Sequence, residues 1–455
     1  MEPAADLRSH AHLELLKNAD AIVIGAGMGG LCAAARLTAA GLKVILVEKS
    51  PHLGGRCSHR ERGGFTVTTG AIMIPMGENS AIRQAFDGVG AAMDMVETTG
   101  RIRYRLAHGD FDLPPSGGLL GMLEFAFEGD SAAAAELFGH FRESIGAGAP
   151  PEGEMLDHWF DRHTPNQAVK NLFQGFCAAL MGTGLHEIPA AEFFRFLRHS
   201  SHGSRFGLAA RGNRCLMESL AEAIERRGSE ILRRTACRKI LVENGRVTGV
   251  EVSPAGGAPV KLAAEYVLSN AGPRRTMELT GDEGLFDGPW RQRMDAARHE
   301  APIIHFSFVC DQPLIEGFDG SLVFGNTRNL IYLEIPSIIS PRLAPPGKYL
   351  HTAYGAPVDA TNPDLKAEAA NTLDELEANF PGTLERAQFL VRARHSGACP
   401  GMHRWPGFMM PVDTPVKNLF NVGDGATPPG TIGTEGAAAS AKAAVDRILG
   451  QSVSQ

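Results

Sequence analysis

Tyrosine and tryptophan are scarce in this chain, with 5 and 3 among 455 residues. That supply leaves little for an aromatic cage around a cationic ligand, and Trp405, in GMHRWPGF, is the one tryptophan near the glycine-rich C-terminal segment. The 7 cysteines include no C-x-x-C pair, which removes the usual spacing of a thiolate zinc site or a disulfide framework and fits a reducing, cytoplasmic setting. Basic residues do not outnumber acidic ones. The formal charge of −7 leaves no surplus to neutralise phosphate backbones, so nucleic acid is not an expected partner. The uncharged run from Ala21 to Ala35 is rich in glycine and shorter than the ~20 residues of a bilayer span, so only peripheral membrane contact is open. Residues 1–20 carry charges every few positions and no apolar h-region, and read as a short helical lead-in. No G-x-S-x-G nucleophile signature is present.

What the chain does have is glycine in a defined context. AIVIG reads as a buried strand, LCAAARLTAAG as a helix and KVILVE as a second strand, which makes one βαβ unit. Gly25, Gly27 and Gly30 form G-x-G-x-x-G between the first strand and the helix, with Gly29 beside them, and Glu48 ends the second strand. This is the dinucleotide-binding arrangement. Gly25 serves the tight turn, Gly27 the approach of backbone to a pyrophosphate, Gly30 the packing of helix on strand, and Glu48 the ribose hydroxyls. The helix N-terminus adds positive potential for the phosphates.

Further along, the segments GGLLGMLEFAFEG, DSAAAAELFGHFRES and PAAEFFRFLRHS have helical character. Asn244-Gly245 between two β-branched runs predicts a hairpin. The runs PIIHFSFVC, GSLVFGN, NLIYLEI and YLHTAYG read as strands of a second sheet, and TEGAAASAKAAVDRIL as a closing helix. His199 and His202 stand three apart without an acidic or thiol partner nearby in sequence, so no metal site is assigned.

Gly54-Gly55-Arg56 after the βαβ unit, VENGRVTGVEV, VLSNAGPRRT, and NLFNVGDGATPPGTIGTEGAAASAKAA near the end resemble the phytoene desaturase and flavin amine oxidase superfamily, most closely its bacterial phytoene-dehydrogenase-like branch. The resemblance implies an α/β protein: a Rossmann-type, glutathione-reductase-like FAD-binding domain with a mixed-sheet and helical substrate domain. Residues 1–75, 206–300 and 396–455 are expected in the FAD-binding part, 76–205 as a helical insert, and 301–395 in the substrate domain. It places Gly54, Gly55 and Arg56 along the cofactor, Gly423 and Asp424 at its ribityl or phosphate part, and Gly433 at the start of a helix facing the flavin. Lys49, Cys237, Asn270 and Thr434 are further cofactor candidates from the same segments. The chain departs from the pattern at Gly64–Ala71, which lacks the common acidic residue, and at Asn213, where members commonly carry glycine.

The expected cofactor is non-covalent FAD, since the surroundings of Cys399 differ from those of a flavin-tethering cysteine. A single glycine fingerprint gives no second site for a nicotinamide, so electrons are expected to pass to oxygen, a quinone or a soluble carrier. The implied reaction is hydride transfer between flavin and a C–C bond of a small lipophilic, isoprenoid-like substrate, shorter than a full C40 carotenoid. An amine oxidase is the alternative, and a non-catalytic carrier of prenylated proteins a third reading. His305, in the strand PIIHFSFVC, is the candidate catalytic residue, by likeness to the strand in which amine oxidases carry a lysine. Phe193, Phe196, Phe306, Phe308 and Tyr332 are candidates for the substrate wall.

Overall fold

From Ala21 to Ile24 every side chain is buried, and Gly25 then turns the chain at φ +90°, which strains any residue with a Cβ. The computed structural model describes residues 16, 18–114, 118–146, 150–200, 205–296, 300–397 and 399–450. The lead-in expected over residues 1–20 lies mostly outside these, as does His202. β1 (Asn18–Ile24), α1 (Met28–Ala39) and β2 (Val44–Val47) form the expected βαβ unit, with β1 and β2 parallel.

The first sheet runs Glu230–Leu232, β2, β1, Val260–Ser269, Arg246–Pro254, Thr235–Glu243, with Leu419–Asn421 parallel to the end of Val260–Ser269. The hairpin appears where Asn-Gly predicts it. Asn244 and Gly245 have φ of 49° and 74°, the two left-handed residues of a tight primed turn. The closing helix Gly433–Ile448 packs on α1, bringing Ala437, Ala438, Ala441 and Ala444 into one core with Cys32, Ala33, Ala34 and Ala35. Small residues on both helices permit this close approach. The alanine run therefore serves packing as well as helix propensity.

The second sheet is ordered Gln388–His395, Ile303–Cys310, Tyr349–Gly355, Leu330–Glu334, Ser321–Phe324, Ile102–Leu106, Gly109–Leu113. Its last two strands, and Met95–Glu97 of a small sheet, fall inside the block 76–205 expected to be helical. Arg103 and Arg105 alternate there with buried Tyr104 and Leu106, a period of two that is short and charged. Asp110 and Asp112 on the return strand pair with these arginines. Of the block's helices, Ala81–Val89 packs against α1, and those between residues 119 and 200 pack around Phe141, Trp159, Phe160 and Phe173.

The two faces of the second sheet differ. Phe306, Phe308, Leu322, Leu333 and Ala353 share a core with Leu376 of the helix Leu365–Asn379. By the alternation of strand side chains, His305, Ser307, Tyr332, Glu334 and Tyr354 point to the other face. No helix of the described residues is long and apolar enough to cross a membrane.

Candidate active site

A cavity of about 3610 Å³ extends from the carboxyl ends of β1 and β2 to the second sheet. Gly25, Gly27, Gly29, Glu48, Lys49, Gly54, Gly55, Arg56, Cys237, Asn270, Asp424, Gly433 and Thr434 line it, whereas Gly30 and Gly423 do not. Those two glycines serve packing. A Cβ on Gly30 would lie 1.9 Å from the Gly25 carbonyl oxygen, and one on Gly423 would lie 2.3 Å from the Asn270 side-chain oxygen. Gly29 is pressed against the Gly423 backbone, with 2.7 Å from its ideal Cβ to the Gly423 nitrogen. The glycine loop, Asn270 and the Gly423 turn are thus one interlocked wall.

That wall fits FAD. Gly27 caps α1 without any side-chain hydrogen bond, which leaves the N–H groups of the first turn to a phosphate. Glu48, half-buried at the end of β2, is fixed by accepting from the Ala26 N–H at 2.8 Å and the Ser50 N–H at 2.7 Å. Cys237 lines the groove as a neutral thiol, pushed up to about 12 by burial. At the other end, Gly433 starts the closing helix at φ +57°. Glu435, in that helix's first turn, accepts from Ser80 Oγ at 2.7 Å and the Ala81 N–H at 2.6 Å, tying the helix to Ala81–Val89.

Arg56 and Asp424 meet in a bidentate pair, with both N–O distances 2.7 Å. Arg56 also donates to the Gly401 carbonyl, and the His403 N–H and ring nitrogen both reach Asp424. Burial alone would raise the Asp424 carboxyl. Arg56 and His403 outweigh it and hold the group well below the usual carboxylate range. His403 was not picked out by sequence reading. The run GMHRW carries no spacing signal, and only folding brings it beside the Gly-Asp turn.

His305 does not reach the cavity. It is 1% exposed, bonds Ser307 Oγ at 2.8 Å, and lies beside the rings of Tyr354 and His395 at centroid distances of 4.9 and 5.8 Å. Its face of the strand is the cavity side, but Tyr354 and His395, which do line the cavity, are the groups presented there. Burial first, and His395 second, depress its imidazole to about 3. Of the wall candidates, Phe196 and Tyr332 line the cavity. Phe193 belongs to the core of the helical layer, and Phe306 and Phe308 to the opposite face of the sheet. Trp405 is buried beside Phe408. Two of the five tyrosines, Tyr332 and Tyr354, stand together on the wall with ring centroids 6.1 Å apart.

The glycine loop, the N-terminus of α1 and Glu48 form a dinucleotide-type groove that opens into a larger chamber. The model of the flavin-containing amine oxidoreductase family matches residues 28–449, and the chain belongs to that family. It is an FAD-dependent oxidoreductase. The chain is 24% identical to an uncharacterized protein, MJ1488, of Methanocaldococcus jannaschii, over 91% of this chain and 96% of that one. It is also 24% identical to the chloroplastic prolycopene isomerase of Daucus carota, over 73% of this chain and 60% of the carrot protein. Among solved structures, an oxidoreductase of Methanosarcina mazei superposes with a TM-score of 0.82 at 25% identity, covering 94% of this chain and 99% of that one.

Proposed function

We propose that the enzyme transfers hydride between FAD and a C–C bond of a small lipophilic, isoprenoid-like substrate. The observation that carries this reading is the chamber wall beyond the cofactor groove. Leu119, Met122, Phe173, Phe176, Leu180 and Phe196 line it, an apolar surface suited to a hydrocarbon chain. Bound FAD supplies the hydride chemistry. Gly25–Gly30, Glu48, Arg56 and Asp424 hold and orient the cofactor, residues 301–395 with the helices of 119–200 form the substrate side, and the apolar wall excludes water from the reacting bond. Electrons leave to oxygen, a quinone or a soluble carrier.

Amine oxidation is the second reading, and the tyrosine pair at the wall is the feature that favours it. The two are separated by anaerobic mixing of the FAD-loaded protein, oxidised or pre-reduced, with retinol in detergent micelles or with putrescine. The expected result is a change of flavin absorbance with an isoprenoid and none with the amine. Flavin bleaching by putrescine alone would overturn the isoprenoid reading.

A further inference from the structure

Glu334 plays no part in the cofactor groove, yet it is a carboxyl group only 1% exposed, set just behind the substrate chamber. It lies two residues after Tyr332 on the strand Leu330–Glu334, so the two side chains share a face. Its cross-strand neighbours are Ser321 on one side and Thr352 on the other. Tyr332 and Ser321 line the chamber. The Tyr332 hydroxyl donates to Glu334 Oε2 at 2.8 Å and is also 2.8 Å from Ser321 Oγ. The second Glu334 oxygen, and the Thr352 hydroxyl opposite, have no hydrogen-bond partner among the described residues.

Among the described residues, the surroundings of this carboxyl offer it no cation. Tyr332, Ser321, Thr352 and Tyr354 face it from its own and the flanking strands. The helix Gln167–Met181 packs on this strand and contains two ionisable side chains: Lys170, engaged with Asp161, and buried Cys177. On the opposite side, Glu368 and Glu375 of the helix Leu365–Asn379 are occupied by Asn329, Val358 and the backbone of residues 328–330. Burial without a compensating charge favours the protonated acid. The Glu334 carboxyl is accordingly raised to about 8, by burial against the lowering effect of the Tyr332 hydrogen bond.

We propose that Glu334, Tyr332 and Ser321 form a proton relay that exchanges, with a ligand in the chamber, the proton accompanying hydride transfer. The inference rests on the C–C redox reading above. In the desaturating direction one C–H bond of the substrate breaks and its hydride passes to the flavin oxidant. The adjacent C–H bond breaks, its electron pair forms the C=C bond, and its proton goes to the Tyr332 oxygen as the phenolic proton moves to the Glu334 carboxylate. Saturation reverses each transfer and starts from the protonated Glu334 that prevails at neutral pH, whereas desaturation uses its ionised fraction. A tyrosine alone is too weak an acid for this, because burial pushes the Tyr332 hydroxyl well above its usual range. Glu334 gives it a partner that gains and loses a proton near neutral pH.

Infrared titration of the FAD-loaded protein reads the stored proton without any substrate. The wild type is expected to show a protonated-acid carbonyl band at neutral pH that fades on alkalinisation, is absent from Glu334→Gln, and persists to higher pH in Tyr332→Phe. If the neutral-pH spectra of wild type and Glu334→Gln do not differ in that band, the relay is overturned. The second readout is anaerobic flavin reduction or reoxidation by whichever of retinol and putrescine acts on the wild type, so the isoprenoid reading is judged by the wild type and the relay by the variants. Both variants should retain FAD and slow that step about tenfold or more, with the dependence on Glu334 ionisation lost from the pH profile. Wild-type rates in Tyr332→Phe would leave Glu334 a structural acid and end the proposal.

Discussion

The cofactor wall of the cavity is built from backbone, while the chamber wall on the second sheet is built from side chains. Around Gly25–Gly30 the chain approaches itself so closely that a single added carbon at Gly30 would sit 1.9 Å from a carbonyl oxygen. On the second sheet, Tyr332, Tyr354, Ser321 and Glu334 come from different strands and meet through their side-chain atoms. The first wall tolerates little added volume at Gly27, Gly29 and Gly30, and its charged groups, Glu48 and the Arg56–Asp424 pair, are fixed by hydrogen bonds. The second tolerates change sterically, and its function lies in the protons and ring faces that its side chains present.

Gly30→Val attacks that difference at its most rigid point and should have the largest effect. Overpacking ordinarily costs about 1–3 kcal/mol, but here the obstacle is backbone, so the expected outcome is little folded protein and no bound flavin, read by solubility and absorbance. Gly55→Ala is the control within the same groove. Its added carbon would meet nothing nearer than Gly27 Cα at 4.0 Å, although φ is +56°, and a loss of roughly 1–2 kcal/mol in thermal unfolding is expected from backbone strain.

Asp424→Asn comes next. It keeps the shape of the Arg56 pair and removes its charge, and FAD affinity should fall about tenfold or more in a fluorescence titration. Because the Asp424 carboxyl is depressed in the folded protein, its stabilisation is fully present above the unfolded carboxylate range and is lost as pH falls through the folded value. The variant should lack that acid-dependent component. Glu48→Gln is milder, since one amide oxygen remains to accept but the amide nitrogen faces an N–H. Weakening of FAD binding by about 0.5–1 kcal/mol, less than tenfold, is expected.

The smallest effect on flavin chemistry is expected for His305→Ala, with both half-reactions within about twofold of wild type. The change should appear in stability. The folded imidazole titrates at about 3 against an ordinary 6.5, so the unfolded chain takes up a proton first and stability declines as pH falls between those values. His305→Ala should flatten that decline in acid unfolding curves. Loss of a half-reaction by tenfold in this variant, with FAD retained, would restore a role at the flavin.

The difference between the two walls also explains what could be read from the chain. Gly25, Gly27, Gly30 and Glu48 lie within one βαβ unit, where local spacing and function coincide, and Asn244-Gly245 likewise marks its own turn. The Ile102–Leu113 hairpin was masked because its exposed positions are charged and its strands are five residues each. Tyr332 and Glu334 stand close in sequence, but nothing local reveals that Ser321 completes their network or that a chamber lies in front. His305 lies on the cavity side of its strand, yet the rings of Tyr354 and His395 cover it. Register gives a face, and only packing gives access.

The most direct test of the cofactor wall is the flavin content of the purified wild type beside Gly27→Val, with circular dichroism confirming that both are folded. The Gly27 Cβ would lie 2.5 Å from the Asn270 side-chain nitrogen, at the mouth of the groove. The wild type should carry about one FAD per chain, released on denaturation, and the variant essentially none. A folded Gly27→Val protein carrying the wild-type complement of FAD would contradict it.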